Sequence, residues 1–194
     1  MTVLRRLVSN RTAASAVEFA MVLPILLLLL LGVIDVGRLM YVWNMAEKST
    51  QMGVRYAVVT DMVPSNLNND FTVSHNLVGG NPVPVGVFNF TECNTTNCTP
   101  NWGYNATAYN AIVARMANFY RGVGTEANNR VVIRYDNVGL GYAGDPSGPD
   151  VAALVTVRLQ GITFRPWSML GYPITLPPFS AALTMEDGAG TVSN

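Results

Sequence analysis

The feature that most constrains this chain is an uncharged apolar run near its amino terminus. Residues Phe19 to Ile34 include no ionisable side chain, and Leu26 to Leu31 is an unbroken row of leucines. Over Phe19 to Gly37 the Phe, Val, Leu and Ile side chains favour bilayer insertion by roughly 4–8 kcal/mol. Asp35 would cost about 3 kcal/mol at the bilayer centre, but it lies near the end of the run, where water is close. At about 1.5 Å per residue, a helix here crosses a hydrocarbon core of about 30 Å. The run therefore predicts a transmembrane helix.

The flanking charges predict the orientation of that helix. The cations that precede the run are Arg5, Arg6 and Arg11, whereas the charges shortly after it, those of Asp35 and Arg38 and of Glu47 and Lys48, cancel. Positive flanks remain on the cytoplasmic side of a membrane. We therefore expect a single-pass protein of a bacterial inner membrane, with a cytoplasmic amino terminus and a periplasmic carboxy-terminal domain.

A cleaved secretory signal peptide is the alternative interpretation of the run. The apolar region of such a peptide spans about 7–15 residues and ends in a small-x-small site. Here the apolar character continues from Val36 to Trp43 without an Ala-x-Ala exit. The pattern favours a retained anchor.

Composition and length limit the functions and the number of domains expected for the remaining chain. Only 12% of the 194 residues are charged, and the formal net charge is zero. A nucleic-acid-binding protein usually presents a basic surface, so no nucleic-acid partner is expected. The length suffices for an anchor and one modest domain.

Glu18 lies at the mouth of the apolar run, where a carboxylate is costly without a partner. It could be an interfacial residue whose side chain reaches back to cytoplasmic headgroups or to Arg11. Alternatively, its partner could be a cation from another chain in a packed helical assembly. The residues alone leave both interpretations open.

The residues around Glu18 resemble a known family. Residues 11–24 read Arg-Thr-Ala-Ala-Ser-Ala-Val-Glu-Phe-Ala-Met-Val-Leu-Pro, and residues 32–38, after the leucines, read Gly-Val-Ile-Asp-Val-Gly-Arg. A Val-Glu-Phe core, an early proline and an acid-x-Gly-Arg end are similar to the TadE-like family, the pseudopilins or minor pilins of Tad (Flp) pilus assembly systems. The likeness continues weakly at Gln51 to Ala57, where the family tends to carry Gly-x-Arg-x-Ala.

The resemblance implies processing by a prepilin peptidase at the cytoplasmic face. Removal of a basic leader, residues 1–13, by a cut between Ala13 and Ala14 would make Glu18 the fifth residue of the mature chain. The family usually carries glycine at the position of Ala13. The freed ammonium of one subunit would then pair with Glu18 of a neighbour and set the register of assembly.

The resemblance also implies partners and a function. The partners are other pilins or pseudopilins, the Tad assembly machinery, the prepilin peptidase and membrane lipid. The function is that of a minor pilin that takes part in assembly or priming and contributes to surface attachment, with possible incorporation in an extracellular pilus. The alternative is a permanently anchored periplasmic scaffold or ligand-binding protein.

Hydrophobic periodicity predicts an α+β fold. We expect one helix over residues 14–60 and an extracytoplasmic domain over residues 61–194, in which a helix packs on an antiparallel sheet. The predicted elements of that domain are a strand at Val83 to Phe90 within an irregular stretch, a helix at Thr107 to Arg121, and strands at Val131 to Tyr135, Val151 to Phe164 and Thr175 to Met185.

Two residue pairs are candidates for specific contacts. Asp35 and Arg38 share a helix face at the end of the run, where they form either a local ion pair or a contact with another subunit. Cys93 and Cys98 lie close together in a domain expected outside the cytoplasm, which favours a disulfide. A metal site would need more ligands than this region offers.

Nothing in the sequence favours an enzyme, a cofactor or a small-molecule substrate. Gly139, Gly141 and Gly144 match Gly-x-Gly-x-x-Gly, but a turn follows them instead of the helix that a dinucleotide site requires. Asp145 and Asp150 in that loop are weak candidates for calcium. Five aromatic residues form either a contact surface or part of the core: Trp102, Tyr104, Tyr109, Trp167 and Tyr172.

Overall fold

The computed structural model describes residues 11–125, 130–146, 148–168, 172–186 and 188. These residues form two compact units. The first contains the described residues up to Tyr41 together with Thr163–Ile174, and the second contains Val42–Ile162 and the described residues from Thr175 onward. A long apolar helix is followed by a helix and an antiparallel sheet, which confirms the predicted α+β class.

Helix α1 extends over Arg11–Ala57 and includes Pro24. Its many Leu, Ala and Met residues are good helix formers. The helix ends at Ala57, before the expected Thr60. The Thr60 hydroxyl donates a hydrogen bond of 2.9 Å to the Tyr56 carbonyl, which satisfies one acceptor at the helix end.

The remaining helices are short, and most lie in loops that connect the strands. They are a 3₁₀ helix at Ser65–Asn68, α2 at Phe71–Ser74, α3 at Ala106–Ala117 and α4 at Gly122–Thr125. Helix α3 confirms the predicted amphipathic helix. Its first turn is capped by Asn105, whose side-chain oxygen accepts hydrogen bonds from the amides of Thr107 and Ala108.

Two sheets are present among the described residues. The strands are β1 Phe90–Cys93, β2 Cys98–Thr99, β3 Val131–Asp136, β4 Leu154–Leu159, β5 Thr163–Phe164, β6 Ile174–Thr175 and β7 Phe179–Thr184. The larger sheet has the order β2-β1-β3-β4-β7, and every neighbouring pair in it is antiparallel. Strands β5 and β6 form a separate two-stranded sheet.

One face of the larger sheet forms the core of the second unit. Along β3 and β4 buried and half-buried residues alternate, and Ile133 and Val157 are paired across the strands on the buried face. Side chains of α1 and α3 cover this face, since both Met116 and Val157 lie next to Gly53. The core therefore forms between the sheet and two helices.

Three strand predictions require correction. The predicted strand at Val83 to Phe90 is wrong, because Pro84 cannot donate to a ladder and its carbonyl instead accepts from the Val87 amide in a turn. The long strand Val151 to Phe164 is divided into β4 and β5 near Gly161, whose φ is 71°. The strand predicted from Thr175 is interrupted by prolines at 177 and 178, so that β7 begins at Phe179.

Candidate functional site

The first half of α1 presents an apolar surface to its surroundings. Every residue from Ser15 to Leu30 is exposed, including the leucines from Leu26 to Leu30. Ser15–Ala57 has a window of mean hydropathy 2.7, and by length and composition it could cross a membrane. Water is an unfavourable surrounding for so large an apolar surface, so a lipid or protein partner must cover it.

Glu18 lies on this exposed helical surface, one residue before the uncharged run. No side chain that the structure describes forms an ion pair with it. The helical backbone includes Arg11, Ala13 and Ala14, but their side chains lie outside the described ones. The leader residues 1–10 likewise lie outside the described residues, so the predicted cut between Ala13 and Ala14 stays a prediction.

Asp35 and Arg38 occupy the end of the apolar run, where the structure places them in contact. An Arg38 guanidinium nitrogen donates to a carboxylate oxygen of Asp35 at 2.9 Å. The other carboxylate oxygen accepts a hydrogen bond of 2.7 Å from the Ser168 backbone amide. Asp35 is buried, with 5% of its surface exposed, and both of its oxygens have partners. This arrangement satisfies the requirement that a buried charge be paired and hydrogen-bonded.

Arg38 also contacts two aromatic rings of the same unit. Its guanidinium carbon lies 4.1 Å from the centroid of the Trp167 ring and 5.4 Å from that of Phe164. A cation over an aromatic face is attracted by the ring quadrupole, and Arg stacks well on Trp. We name Asp35, Arg38, Phe164, Trp167 and Ser168 the helix-end cluster. It joins the end of the apolar run to residues far away in sequence.

Sequence reasoning found only part of this cluster. The spacing of Asp35 and Arg38 pointed to a shared face, and Trp167 was a candidate for an aromatic contact surface. Ser168 was missed because its 2.7 Å hydrogen bond to Asp35 comes from the backbone amide, which any residue type except proline can provide. Phe164 carried no signal beyond its place in a predicted strand.

The second half of α1 packs within the second unit. The buried positions Ala46, Ser49, Val54 and Ala57 line one side of it. The Ser49 hydroxyl donates to the Met116 carbonyl at 3.0 Å. A methyl group added at Gly53 would lie 2.7 Å from Cγ of Met116, so only glycine fits without a shift. In the Gly-x-Arg-x-Ala motif, packing thus favours glycine at position 53, and Ala57 is fully buried.

The aromatic residues divide between core and surface. Tyr109 is buried, its hydroxyl donates to the Val131 carbonyl at 2.8 Å, and burial raises its pKa above the ordinary value. Trp102 packs against Phe71 and Phe88, while Tyr104 contacts Tyr109. Trp167 and Tyr172, in contrast, are exposed. Of the five, Trp167 and Tyr172 are the most available for a contact surface, whereas Trp102 and Tyr104 are half-buried.

The cysteines form a disulfide, as the sequence predicts. Cys93 and Cys98 are bonded at the register position where β1 pairs with β2. Within their loop the Asn94 side chain accepts hydrogen bonds from the amides of Thr96 and Asn97. The disulfide therefore closes a short, locally hydrogen-bonded turn at the edge of the larger sheet.

In the loop that contains Asp145 and Asp150, the Asp150 side chain has a structural role. The buried Asp150 carboxylate accepts hydrogen bonds from the amides of Phe71, at 2.6 Å, and Asp145, at 3.1 Å. One oxygen therefore holds the loop against α2, and the other closes the loop on itself. Among the described residues, no group of three or more His, Cys, Asp or Glu side chains could hold a metal ion.

Comparison with known proteins gives one match, to a family model, and the matched residues lie within α1. No curated protein and no solved structure matches the chain. The family model described as TadE-like protein matches residues 13–55. That range contains Glu18, the apolar run, the Asp35–Arg38 pair and Gly53. The match confirms the resemblance seen in the sequence: residues 13–55 of this chain are similar to the TadE-like family.

Proposed function

We propose that this protein is a minor pilin or pseudopilin of a Tad (Flp) type IV pilus assembly system. It is inserted in the bacterial inner membrane and takes part in pilus assembly or priming, and so contributes to surface attachment. Its role is structural rather than catalytic. The observation that carries the proposal is the TadE-like match over residues 13–55, on a helix whose first half is an exposed apolar surface.

The exposed apolar surface supports both a membrane state and an assembled state. Side chains from Phe19 to Leu30 are exposed all around the helix. Lipid covers such a surface in the membrane. In an assembly, neighbouring helices of the same kind cover it, and the transfer from lipid to helices costs little because both surroundings are apolar.

Glu18 supplies the specificity that the leucines lack. Leucine side chains pack acceptably at many relative heights, so apolar contact alone does not fix how two helices align. A carboxylate at the mouth of the run is stabilised only where a cation meets it. The ammonium released at Ala14 of a neighbouring subunit is such a cation, and its position at the chain terminus selects one register.

The flanking charges and the disulfide support one orientation. Arg5, Arg6 and Arg11 precede the run and favour a cytoplasmic amino terminus. The disulfide between Cys93 and Cys98 suits an oxidising compartment such as the periplasm. The folded domain would then contact assembly partners outside the cytoplasm, or a surface beyond the cell if the subunit enters the fibre.

Intact mass and amino-terminal sequencing of the protein from its native membrane test the proposal. We expect a mature chain that begins at Ala14 when the prepilin peptidase is present, and the full chain when it is absent. Ala13→Gly, which restores the residue usual in the family, is the matched control and should also be cleaved. An intact terminus in both forms would contradict the proposal and favour a permanently anchored scaffold or ligand-binding protein.

Replacement of Glu18 tests the register role separately from processing. Glu18→Ala should leave the amount of membrane-bound protein unchanged and strongly lower its co-purification with pilus subunits. Glu47→Ala is the matched control, since Glu47 is an exposed acid of the same helix beyond the apolar run. Equal co-purification of the two variants would mean that Glu18 has no role in assembly.

A further inference from the structure

The β5–β6 segment, residues 163–168 and 172–174, combines a buried side with exposed aromatic rings. Phe164 and Pro166 are buried, whereas Trp167 is 59% exposed and Tyr172 is 77% exposed. Arg165 and Ile174 are exposed as well. An aromatic ring with a polar tip that remains largely exposed is the side-chain type that lies at membrane–water interfaces.

The helix-end cluster attaches this segment to α1 at a defined position along the helix axis. Its contacts with the helix are made at Asp35 and Arg38, immediately after Ile34, the last residue of the uncharged run. Phe19 to Ile34 spans about 24 Å of helix at about 1.5 Å per residue. A hydrocarbon core of about 30 Å therefore ends about one turn farther along, close to Arg38.

The exposed residues on the opposite side of the helix indicate the same position for the membrane boundary along α1. Val36, Met40 and Tyr41 remain exposed there, so the apolar surface continues beyond Asp35 on the side that the β5–β6 segment leaves free. Phe19 to Tyr41 spans about 34 Å. A hydrocarbon core of about 30 Å is longer than the first of these stretches and shorter than the second. Its boundary therefore falls between Ile34 and Tyr41, where the β5–β6 segment is attached.

From this placement we propose that the β5–β6 segment is a membrane-surface element, in which Trp167 and Tyr172 insert into the headgroup layer of the phospholipid bilayer. The inference rests on the proposed membrane anchoring of α1. The Trp167 ring lies against Arg38 at the end of the lipid-covered helix surface, the pairing of β5 with β6 brings Tyr172 to the same element, and Arg165 adds a cation beside the lipid phosphates. The helix-end cluster holds this element against the helix, so that the element sets the depth of α1 in the bilayer.

Spin labels on the full-length protein, reconstituted in phosphatidylethanolamine–phosphatidylglycerol vesicles, test the proposal. Both cysteines are bonded to each other, so single added cysteines can be labelled. The test variant is Tyr172→Cys. The matched control is Val85→Cys, an exposed residue of the other unit, and Leu28→Cys reports the bilayer interior. The measurement compares collision rates of each label with oxygen and with a water-soluble nickel complex.

We expect the label at position 172 to give a several-fold higher ratio of oxygen to nickel collisions than the label at position 85. Its ratio should be lower than that at position 28. Equal ratios at 172 and 85, with position 28 in the bilayer interior, would overturn the membrane-surface element while leaving the anchor intact. An aqueous label at position 28 would overturn the anchor and this proposal together.

A second variant tests the role of the helix-end cluster. Asp35→Asn, combined with the label at position 172, removes the carboxylate that holds both Arg38 and the Ser168 amide. The ratio at position 172 should fall toward the aqueous value, while the ratio at position 28 remains unchanged. An unchanged ratio at 172 would show that the cluster does not position the segment at the membrane.

Discussion

The two halves of helix α1 differ in burial, and their sequences differ accordingly. From Ser15 to Leu30 all residues are exposed and large apolar side chains dominate. From Ala46 to Ala57 the buried positions are mostly small or hydroxyl-bearing. A fluid partner such as lipid requires only apolar area, whereas a folded partner requires shape and hydrogen bonds. One helix can therefore carry a non-specific anchor and a specific core element.

The largest effect should come from a charge in the exposed half. Leu28→Lys changes the insertion free energy by about 3–4 kcal/mol, against the roughly 4–8 kcal/mol that favours insertion of the whole run. We expect a marked loss of the protein from the carbonate-resistant membrane fraction. Leu28→Ile, which keeps the apolar surface, is the control and should behave as the parent. Full retention of the lysine variant would show that this half does not lie in lipid.

The second test compares the same truncation in the two halves. Val54 is 2% exposed and Val33 is 65% exposed. Val54→Ala should lower the free energy of unfolding of the domain by about 2–3 kcal/mol, because two methyl groups leave a packed core. Val33→Ala should leave it unchanged. Urea unfolding in detergent micelles, followed by tryptophan fluorescence, measures both, and equal losses would contradict the division of the helix.

A smaller effect is expected where glycine allows close packing. Gly53→Ala adds a methyl group against Met116, and the expected loss is about 1–2 kcal/mol after the gain in helix propensity. Gly37→Ala is the matched control, since nothing lies within 4 Å of a methyl group added there. The same unfolding measurement should show a loss of stability for Gly53→Ala and no loss for Gly37→Ala. A stabilised Gly53→Ala variant would mean that Met116 moves aside freely.

The smallest effect concerns the stability of the second unit at alkaline pH. Burial raises the pKa of Tyr135, whose hydroxyl accepts a hydrogen bond from the Val63 amide. Above its ordinary pKa of about 10 the unfolded chain loses a proton that the folded chain retains, so stability falls as pH rises. At about pH 11 this loss is roughly 1 kcal/mol.

Tyr135→Phe removes that contribution without changing the shape of the core greatly. Its free energy of unfolding should therefore fall less between neutral pH and about pH 11 than that of the parent protein. Leucines of the exposed half do not titrate, so insertion should be insensitive to the same change. An identical pH dependence in the parent and the variant would refute the assignment to Tyr135.

Much of the fold could be predicted from local patterns. The apolar run, the helix at α3 and the strand β3 each follow from periodicity within a few residues. The errors lie where a single residue overrides the pattern, as at Pro84 and Gly161. In the candidate site, Glu18 and the Asp35–Arg38 pair were evident because a charge beside an apolar run is conspicuous. The backbone amide of Ser168 was not.

The sequence by itself determined the membrane-compatible helix, its charged ends, the TadE-like likeness and the cysteine pair, because all of these depend on residues near one another in the chain. Tertiary structure alone decided which distant residues meet them. Trp167 and Ser168 reach Asp35 and Arg38 only because the chain returns to α1 after β4. Gly53 is required only because Met116 lies against it. Such contacts arise from the packing of distant segments, and no local pattern in the sequence encodes their geometry.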